Sequence, residues 1–390
     1  MEVSPPVIAK TSTSSSPLRG RRRQAAVAGL AAAAALAMTA CGSSASSSSS
    51  AAGTSASGTS SASTAAGDSH ADFTGCLMIS ATGIADHSFN QSAWAAMTEA
   101  KSKLGITIKY LAQSGSIDFS TIGAQFVQDN CSMIIGVGFD TATTIDTLAK
   151  QNPTIKFAVI DSTLTTPEPN ATSLTYQTDQ AGFLGGYLAA GMSKSGTVGV
   201  YGNEAIPPVE LYMTGYVYGV QYYNSVHHTD VKAIGWNPAS KTGQFVGNFT
   251  DVNSGKLITQ AEIQQGADVI FPVAGPIDEG TATAVQAAGG PASGYYMLWV
   301  DSDGCLSNPD ACGVILSTVQ KNIQPSLYDV LDKTVNGAFP TGNYLGTLSN
   351  DGVGLAPYHQ LAGKVPAQLS SEITQLTKDL VSGKVTIHAY

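Results

Sequence analysis

The stretch CLMISATGIADHSFNQSAW, residues 76–94, contains the unit from which the fold is built. An apolar run, CLMIS, is followed by a polar loop, ATGIADH, and SFNQSAW then opens a segment with helical character. A continuous apolar run bounded by turn residues is typical of a strand buried on both faces of a parallel sheet. The stretch therefore predicts a strand–loop–helix unit of an α/β protein.

The same unit recurs through the body of the chain from about residue 73 onward. Strand-like runs such as SMIIGVG, KFAVID, TVGVYG, DVIFPVAG and YMLWVDSD alternate with helical segments such as QAGFLGGYLAAGMSKSG. This alternation favours doubly wound α/β domains. The runs are too many for one ordinary sheet, and 390 residues suffice for two full cores. We therefore predict two doubly wound lobes.

Polar residues directly follow several of the predicted strands. Ligands of open α/β sheets bind beyond the carboxyl ends of the strands. If two lobes face each other, we expect several of these side chains to meet in one cleft. The positions are the loop after CLMIS, Asp140, Asp161, Asn203, Glu204, Gly275, Asp301 and Asp303.

The start of the first helix allows two interpretations. Ser88 and Gln91 have the spacing of a capping box, in which side chains satisfy free backbone N–H groups. That interpretation leaves Phe89 and Asn90 without a role. An amide in the first helical turn offers a donor and an acceptor to a ligand, and a phenyl ring can cover an aromatic group.

The segment WVDSDG places Asp301 and Asp303 two residues apart at a strand end, hence on the same side. Such carboxylates bind metals, act as acid and base, or accept hydrogen bonds from a diol, but SDG is also a turn sequence. Lys321, at a predicted strand-to-helix junction, is either a plain ion-pair partner or a donor to a ligand. Tyr212 lies in a run of tyrosines at helical spacing, which more often indicates packing than binding.

The first 70 residues differ from the body. RGRRR at 19–23 and the apolar run that follows predict a secretory signal peptide, residues 1–40. A small residue before Cys41 resembles the bacterial lipobox, which implies cleavage there and lipid on the Cys41 thiol; an ordinary signal peptide is the alternative. Residues 41–71, rich in Ser, Ala, Gly and Thr, predict a disordered tether. The export route, Sec or twin-arginine, stays open.

Charge and motif content argue against several classes of function. The net charge is −9 and the body has no basic stripe, which argues against nucleic-acid binding. The signatures G-x-S-x-G, the P-loop and H-E-x-x-H do not occur in the sequence. We therefore expect neither an enzyme nor a cofactor.

Four cysteines remain for the body if Cys41 carries lipid. An even number in an exported protein suggests disulfides. Cys305 and Cys312 flank the turn-rich loop LSNPDA and are expected to pair, which leaves Cys76 and Cys131 to pair by elimination. Whether this second pair forms stays open. A metal site is disfavoured because the spacing matches no zinc pattern.

Nine blocks occur in an order that resembles the basic membrane protein family of ABC-transporter substrate-binding lipoproteins, which includes purine-nucleoside receptors. The likeness runs from about residue 73 to 360. The blocks are DHSFNQSAW, FAVID, QAGFLGGYLAA, VGVYGNEAIPPVELYMTGYVYGV, VGNFTDVNSGK, QGADVIFPVAG, VDSDG, STVQKN and NDGVGLAPY.

The resemblance implies a type I periplasmic-binding-protein fold, in which two α/β lobes are joined by a multi-strand hinge and close on a ligand. We expect lobe 1 to comprise residues 72–178 and 298–325, and lobe 2 to comprise 179–297 and 326–360. Residues 361–390 are expected to form a C-terminal helix and tail packed on the body.

The resemblance also implies roles for single residues. Phe89 and Tyr212 would stack on a nucleoside base, although relatives carry Phe where Tyr212 stands. Asn90 would hydrogen-bond the base or the ribose. Asp301 and Lys321 would hold the ribose hydroxyls.

Three further positions belong to the implied site. Gly275 would let the backbone approach the ligand, Asp86 lies in the loop before the first helix, and Asp140 follows a strand. Relatives place an aspartate several residues after GVGF, whereas Asp140 follows GVGF at once. This departure concerns recognition of the base.

The implied function is capture of a nucleoside, purine by preference, and its delivery to an ABC permease. The receptor would be a monomer, held by its lipid on the extracytoplasmic face of a bacterial membrane. Alternatives are a ligand sensor of the same fold that reports to a signalling partner, or a receptor for another small solute such as a sugar. An exported enzyme using Asp301 and Asp303 is a further hypothesis, weakened by the missing nucleophile and metal motifs.

Overall fold

A computed structural model of the chain describes residues 70–115, 117–166 and 168–390. The predicted signal peptide, Cys41 and the tether as far as residue 69 lie outside the described residues. Cleavage and lipidation at Cys41 therefore stay predictions.

Strands form where runs of Val, Ile, Leu and Met can be buried between helices on both faces of a sheet. Cys76–Ile79 of the first strand, for example, are fully buried. The strands in chain order are β1 (Thr74–Ile79), β2 (Thr107–Ala112), β3 (Met133–Val137), β4 (Lys156–Ile160), β5 (Ala171–Tyr176), β6 (Thr197–Gly202), β7 (Lys232–Ile234), β8 (Trp236–Asn237), β9 (Thr242–Gly243), β10 (Val269–Val273), β11 (Tyr296–Asp301), β12 (Ile315–Lys321), β13 (Gly342–Gly346) and β14 (Val353–Leu355).

Helices connect most successive strands and cover the sheets. In chain order they are α1 (Phe89–Leu104), α2 (Phe119–Gln128), α3 (Ala142–Gln151), α4 (Thr178–Met192), α5 (Pro207–His227), α6 (Val252–Gln264), α7 (Asp278–Ala287), α8 (Gly290–Ser293), α9 (Gly304–Ser307), α10 (Ile323–Val335) and α11 (Ala367–Val381).

In the described residues twelve of the strands form two six-stranded sheets, one for each lobe, and β8 and β9 form a small antiparallel pair. The lobe 1 sheet has the order β13-β5-β4-β3-β1-β2 and is parallel throughout. The lobe 2 sheet has the order β14-β12-β11-β10-β6-β7, in which β14 runs antiparallel to β12. Two doubly wound sheets confirm the predicted α/β fold class of the type I periplasmic-binding proteins.

The chain passes from one sheet to the other after β5, after β12 and between β13 and β14. The predicted assignment of residues 298–325 to lobe 1 is therefore wrong, because β11 and β12 pair within the lobe 2 sheet. Residues 326–360 are divided, since β13 pairs with β5 of lobe 1 and β14 with β12 of lobe 2. Apolar periodicity identifies a buried strand but carries no information on which of two sheets it joins.

The backbones of α4 and α5 lie in direct contact, because glycines face the partner helix. A methyl group at Gly186 would overlap the carbonyl of Tyr216, and one at Gly219 would overlap the carbonyl of Phe183. The glycines of these two segments thus serve helix packing. On the far side of α4, Leu369 of α11 packs against Gly191 and is buried.

Two disulfides join the cysteine pairs that the sequence analysis favoured. Cys76 of β1 is bonded to Cys131, two residues before β3, and Cys305 is bonded to Cys312 in the connection between β11 and β12. The first links neighbouring strands of lobe 1, and the second closes a short loop of lobe 2. Within the described part of the chain, no helix has both the length and the apolarity to cross a bilayer.

Candidate functional site

A cavity of about 280 Å³ lies between the lobes, at the carboxyl ends of strands from both sheets. Its volume is near the lower end of the roughly 300–1,000 Å³ that is usual for small-molecule sites. All eight residues predicted as ligand-binding line it, namely Asp86, Phe89, Asn90, Asp140, Tyr212, Gly275, Asp301 and Lys321. Residues that are distant in sequence thus meet in one cavity, as expected if ligands bind beyond the carboxyl ends of the strands.

Three charged residues form what we call the inner cluster: Lys321, Asp161 and Asp301. The Lys321 ammonium forms an ion pair with Asp161, at the end of β4 in lobe 1, and lies 3.4 Å from Asp301 Oδ1, at the end of β11 in lobe 2. The side chains are nearly buried, at 3% exposure for Lys321 and 8–9% for the two aspartates. The cluster therefore links the two lobes through charge.

Burial and charge act in opposite directions on the inner cluster. Burial, the largest single effect, acts to lower the pKa of Lys321, but the charges and hydrogen bonds of Asp161 and Asp301 together raise that pKa above its ordinary value. Burial raises the pKa of Asp161, and the Lys321 charge opposes that rise. Removing one partner of such a buried set is costly because the other is left charged without compensation.

Asp161 and Asp301 share an unusual backbone. Their φ angles are 65° and 64°, in the left-handed region that residues other than glycine rarely adopt. Both stand at the end of a parallel strand, where the chain turns away from the sheet. Asp161 was noted as a strand-end residue but not assigned to the ligand site, since nothing in FAVID predicts that it meets a lysine 160 residues away.

The two aromatic rings predicted to stack on a base both lie near Lys321. The Lys321 ammonium is 4.7 Å from the ring centroid of Phe89 and 5.3 Å from that of Tyr212. Phe89 is half-buried, whereas Tyr212 is 2% exposed and packs edge-on against Phe271. The Tyr212 hydroxyl donates to Asp301 at 3.1 Å. The hydroxyl of Tyr212 is therefore already occupied within the protein.

The predicted capping box of Ser88 and Gln91 is wrong. Asp86 caps α1 instead, since its carboxylate accepts the backbone N–H groups of Ser88, Asn90 and Gln91 at 3.1, 2.9 and 2.9 Å. Burial nevertheless raises the pKa of Asp86. The Gln91 side chain accepts from the backbone of His87. Asp86, three residues before the first residue of α1, competes with Ser88 for the same backbone N–H groups, and sequence spacing does not show which of the two binds them.

Ser88, released from capping, contacts the other lobe. Its hydroxyl lies 3.1 Å from both the carbonyl oxygen of Val300 and Oδ2 of Asp301. Ser302 donates to the Ser88 carbonyl at 2.6 Å, and the indole N–H of Trp299 donates to the carbonyl of His87 at 3.1 Å. The loop between β1 and α1 thus bonds lobe 1 to lobe 2 at the cleft.

Asn90 has one end of its amide satisfied and one end free. Its Nδ2 donates to Thr82 at 2.7 Å, to Ser80 at 3.1 Å and to the Gly83 carbonyl at 3.1 Å. Its Oδ1 is buried and has no hydrogen-bond partner among the described residues. Because buried polar atoms are normally paired, this oxygen is a ready acceptor for a ligand donor.

At the cavity mouth lie Asp140, after β3 of lobe 1, and Glu204, after β6 of lobe 2; we call them the outer acidic pair. Burial raises the pKa of Asp140. Partial burial, and secondarily the Asp140 charge, raise the pKa of Glu204. Gly275, also at the cavity, has a φ of 62°, in the left-handed region that favours glycine, with open space where a side chain would stand.

Asp303 does not line the cavity with Asp301. Its carboxylate caps α9 by accepting the Cys305 N–H at 3.1 Å, and it lies 2.7 Å from His359 Nε2. Asp301 and Asp303 were expected on the same side because side chains two residues apart in a strand share a face. The left-handed backbone at Asp301 ends the strand, so this rule does not apply to Asp303. Asp303, Cys305 and His359 lie close together, but the disulfide occupies the sulfur that a metal would need.

The sequence model of the Bmp family, described as ABC transporter substrate-binding protein PnrA-like, matches residues 74–387. The chain belongs to the Bmp family. It is 26% identical over 337 residues to the ABC transporter nucleoside-binding protein BmpA of Lactococcus lactis, covering 83% of this chain and 91% of that protein. It is also 26% identical over 308 residues to basic membrane protein D of Borreliella burgdorferi, covering 77% of this chain and 84% of that protein.

Two solved structures share the fold of this chain. An ABC transporter solute-binding protein from Aeropyrum pernix superposes with a TM-score of 0.72 at 22% identity, covering 80% of this chain and 92% of that chain. One from Conexibacter woesei gives a TM-score of 0.62 at 20% identity, covering 81% and 98%. This Bmp protein is therefore an ABC-transporter substrate-binding protein by family and has the fold of that class.

Proposed function

We propose that this Bmp protein captures a nucleoside, purine by preference, between its lobes and delivers it to an ABC permease. The observation that carries the proposal is the inner cluster beside the Phe89 ring. A nucleoside combines a flat aromatic base with a cis diol, and this cavity places an accessible ring next to buried carboxylates and an ammonium.

The ribose belongs at the inner cluster in this proposal. Ionised Asp301 and Asp161 accept hydrogen bonds from the two hydroxyls, and Lys321 donates to a hydroxyl oxygen. Hydrogen bonds to ionised groups are shorter and stronger than neutral ones. A solute without the diol leaves these buried groups unpaired, so the same cluster that binds also discriminates.

The base lies over Phe89, with the free Oδ1 of Asn90 accepting one of the ligand's donors. Stacking of a base on an aromatic side chain contributes about 1–3 kcal/mol. Tyr212 closes the far side of the cavity and orients Asp301 through its hydroxyl.

Lobe closure is the step that completes the site. Asp161 belongs to lobe 1, whereas Asp301 and Lys321 belong to lobe 2, so the inner cluster assembles when the lobes approach. The bonds of His87 and Ser88 to lobe 2 add to the stability of the closed form. A ligand that bridges the lobes shifts the hinge equilibrium by its differential affinity for that form.

The membrane attachment follows from the N-terminal sequence. Lipid on Cys41 and the tether would hold the body on the extracytoplasmic face, within reach of a permease. The receptor would act as a monomer, and it would bind its solute without chemistry.

Titration of the purified protein tests the ligand class. We expect purine nucleosides to raise the melting temperature in proportion to their affinity and to give saturable heat in calorimetry, and free ribose to do so far less. If sugars or amino acids bind and nucleosides do not, the nucleoside assignment is wrong. If the nucleoside is consumed during incubation, the transport role is wrong.

A further inference from the structure

The two ends of the cavity differ in their unused hydrogen-bonding groups. Five carboxylates line it, those of Asp86, Asp140, Asp161, Glu204 and Asp301, and among the described residues that line it Lys321 is the one cation. The Lys321 ammonium already contacts Asp161 and Asp301. The cavity is therefore acidic and rich in acceptors.

Among the described residues, neither member of the outer acidic pair has a side-chain partner. Neither the Asp140 nor the Glu204 carboxylate accepts a hydrogen bond or forms an ion pair with another described residue. The two carboxylates belong to different lobes and are close enough for the Asp140 charge to raise the pKa of Glu204. Closure brings these like charges together, which is unfavourable unless donors or a proton come between them.

The Phe89 ring connects the two ends. The centroid of the ring lies 4.7 Å from the Lys321 ammonium. Gly138 is also near the ring, since a Cβ built on this glycine would lie 3.7 Å from Cε1 of Phe89 and 3.0 Å from Oδ1 of Asp140. A base stacked on Phe89, with its ribose at the inner cluster, therefore lies within reach of Asp140, and Glu204 lines the same cavity.

We propose that Asp140 and Glu204 are specificity-determining residues that select nucleosides whose base carries an amino donor, and that the acidic cavity excludes nucleotides. This inference rests on the proposed nucleoside-binding function. The amino group lies between the two carboxylates and offsets their repulsion in the closed form. A phosphate anywhere in the cavity meets an excess of negative charge, and this repulsion disfavours its binding.

The test compares matched ligands by calorimetry on the full-length protein. Guanosine differs from inosine, and adenosine from purine riboside, by one amino group each. We expect the amino-bearing member of at least one pair to bind roughly tenfold tighter or more, as is usual for a hydrogen bond to a charged group. We expect guanosine 5′-monophosphate to bind roughly a hundredfold more weakly than guanosine.

Two substitutions test whether the outer acidic pair causes the amino preference and the rejection of the monophosphate. Asp140→Asn and Glu204→Gln keep the shape, and we expect them to shrink both the amino preference and the rejection of the monophosphate. Asp230→Asn, which removes an exposed carboxylate outside the cavity, should change neither.

Different results of these titrations would overturn the specificity assignment and the nucleoside-binding function on which it rests. If nucleosides bind but amino-bearing and amino-free members bind equally, or the monophosphate binds as well as the nucleoside, the specificity assignment is wrong and the nucleoside receptor stands. An unchanged amino preference in both variants also overturns the assignment. If no nucleoside binds at all, both proposals fall together.

Discussion

The inner cluster and the outer acidic pair line the same cavity but differ in how their negative charges are compensated. At the inner end two carboxylates share an ammonium, nearly all exposed surface is lost, and both lobes contribute. In the outer acidic pair, two carboxylates from different lobes line the cavity with no cation partner among the described residues and with more access to solvent. Buried carboxylates that are paired with an ammonium are suited to binding one fixed part of a ligand tightly. Carboxylates without a cation partner are suited to discriminating between ligands that differ in charge or in hydrogen-bond donors.

Removing the inner cation should have the largest effect. In Lys321→Met, Asp161 and Asp301 stay buried without a cation, and breaking a buried ion pair costs about 3–5 kcal/mol. We expect the free energy of unfolding to fall by that order and nucleoside binding to be lost, as measured by chemical denaturation and calorimetry. Lys333→Met removes an exposed ion pair with Asp329 and serves as the control with little change. Wild-type stability in Lys321→Met would mean that the inner cluster is not a compensated unit.

Asp301→Ala should weaken both ligand binding and the free protein. On sequence alone Asp301 acts on the ligand, which predicts an unchanged melting point without ligand. In the structure Asp301 contacts Tyr212, Ser88 and Lys321, so its removal leaves buried partners unpaired. We expect each quantity to fall by about 2–3 kcal/mol, as is typical of hydrogen bonds to a charged group. A melting point unaffected in the absence of ligand contradicts the structural part of this role.

Phe89→Ala should affect binding more than folding. Phe89 is half-buried and presents its ring to the cavity, so its loss removes the surface on which a base stacks. We expect nucleoside affinity to fall by about 1–3 kcal/mol and the stability of the free protein to change less. Phe89→Tyr should restore most of the affinity, and Tyr110→Ala, an exposed ring outside the cavity, is the control. Equal affinity in wild type and Phe89→Ala rules out the stacking role.

The outer end should give the smallest effect, a dependence of affinity on pH. Burial raises the pKa of both Asp140 and Glu204, so each takes up a proton above its ordinary value, 3.8 and 4.5 respectively. Ligand donors favour the ionised carboxylates, so affinity for an amino-bearing nucleoside should fall as pH is lowered through these raised values and stay constant above them. We expect a loss of about tenfold or less by calorimetry across that window.

Burial also raises the pKa of two other carboxylates of the cavity, so the pH effect needs a reference. Asp86 and Asp161 also have raised pKa values, and Asp301 and Lys321 face the same ligand. The double variant Asp140→Asn with Glu204→Gln isolates the outer contribution. Its pH profile should be flatter than that of the wild type, and identical profiles would remove the outer pair from ligand binding.

Much of the fold could be predicted because the signals are local. The CLMIS and MIIGV runs become buried parallel strands, and the polar residues that follow them reach the cleft. Lobe membership could not be predicted in this way. Whether the strand at 296–301 joins one sheet or the other depends on pairing between segments far apart in the chain.

The site could be predicted where a residue's position in a strand or helix determines where its side chain lies. It could not be predicted where several residues compete for the same hydrogen-bond or ion-pair partner. Phe89 and Asn90 reach the cavity because the first turn of α1 stands there. Asp86 rather than Ser88 caps the helix, and Asp161 meets Lys321 through a tertiary contact that no spacing rule encodes. Asp161 and Glu204 were predictable as strand-end residues, but their different charge environments were not, because these arise when the lobes meet.

The central claim is that the inner cluster binds the two hydroxyls of a ribose. Calorimetric titration of the protein with guanosine and with 2′,3′-dideoxyguanosine tests it most directly, because the two ligands share the base and differ in those hydroxyls. We expect the dideoxy compound to bind at least roughly a hundredfold more weakly, since two hydrogen bonds to charged groups are lost and the groups stay buried. Equal affinity for the two ligands would contradict the claim.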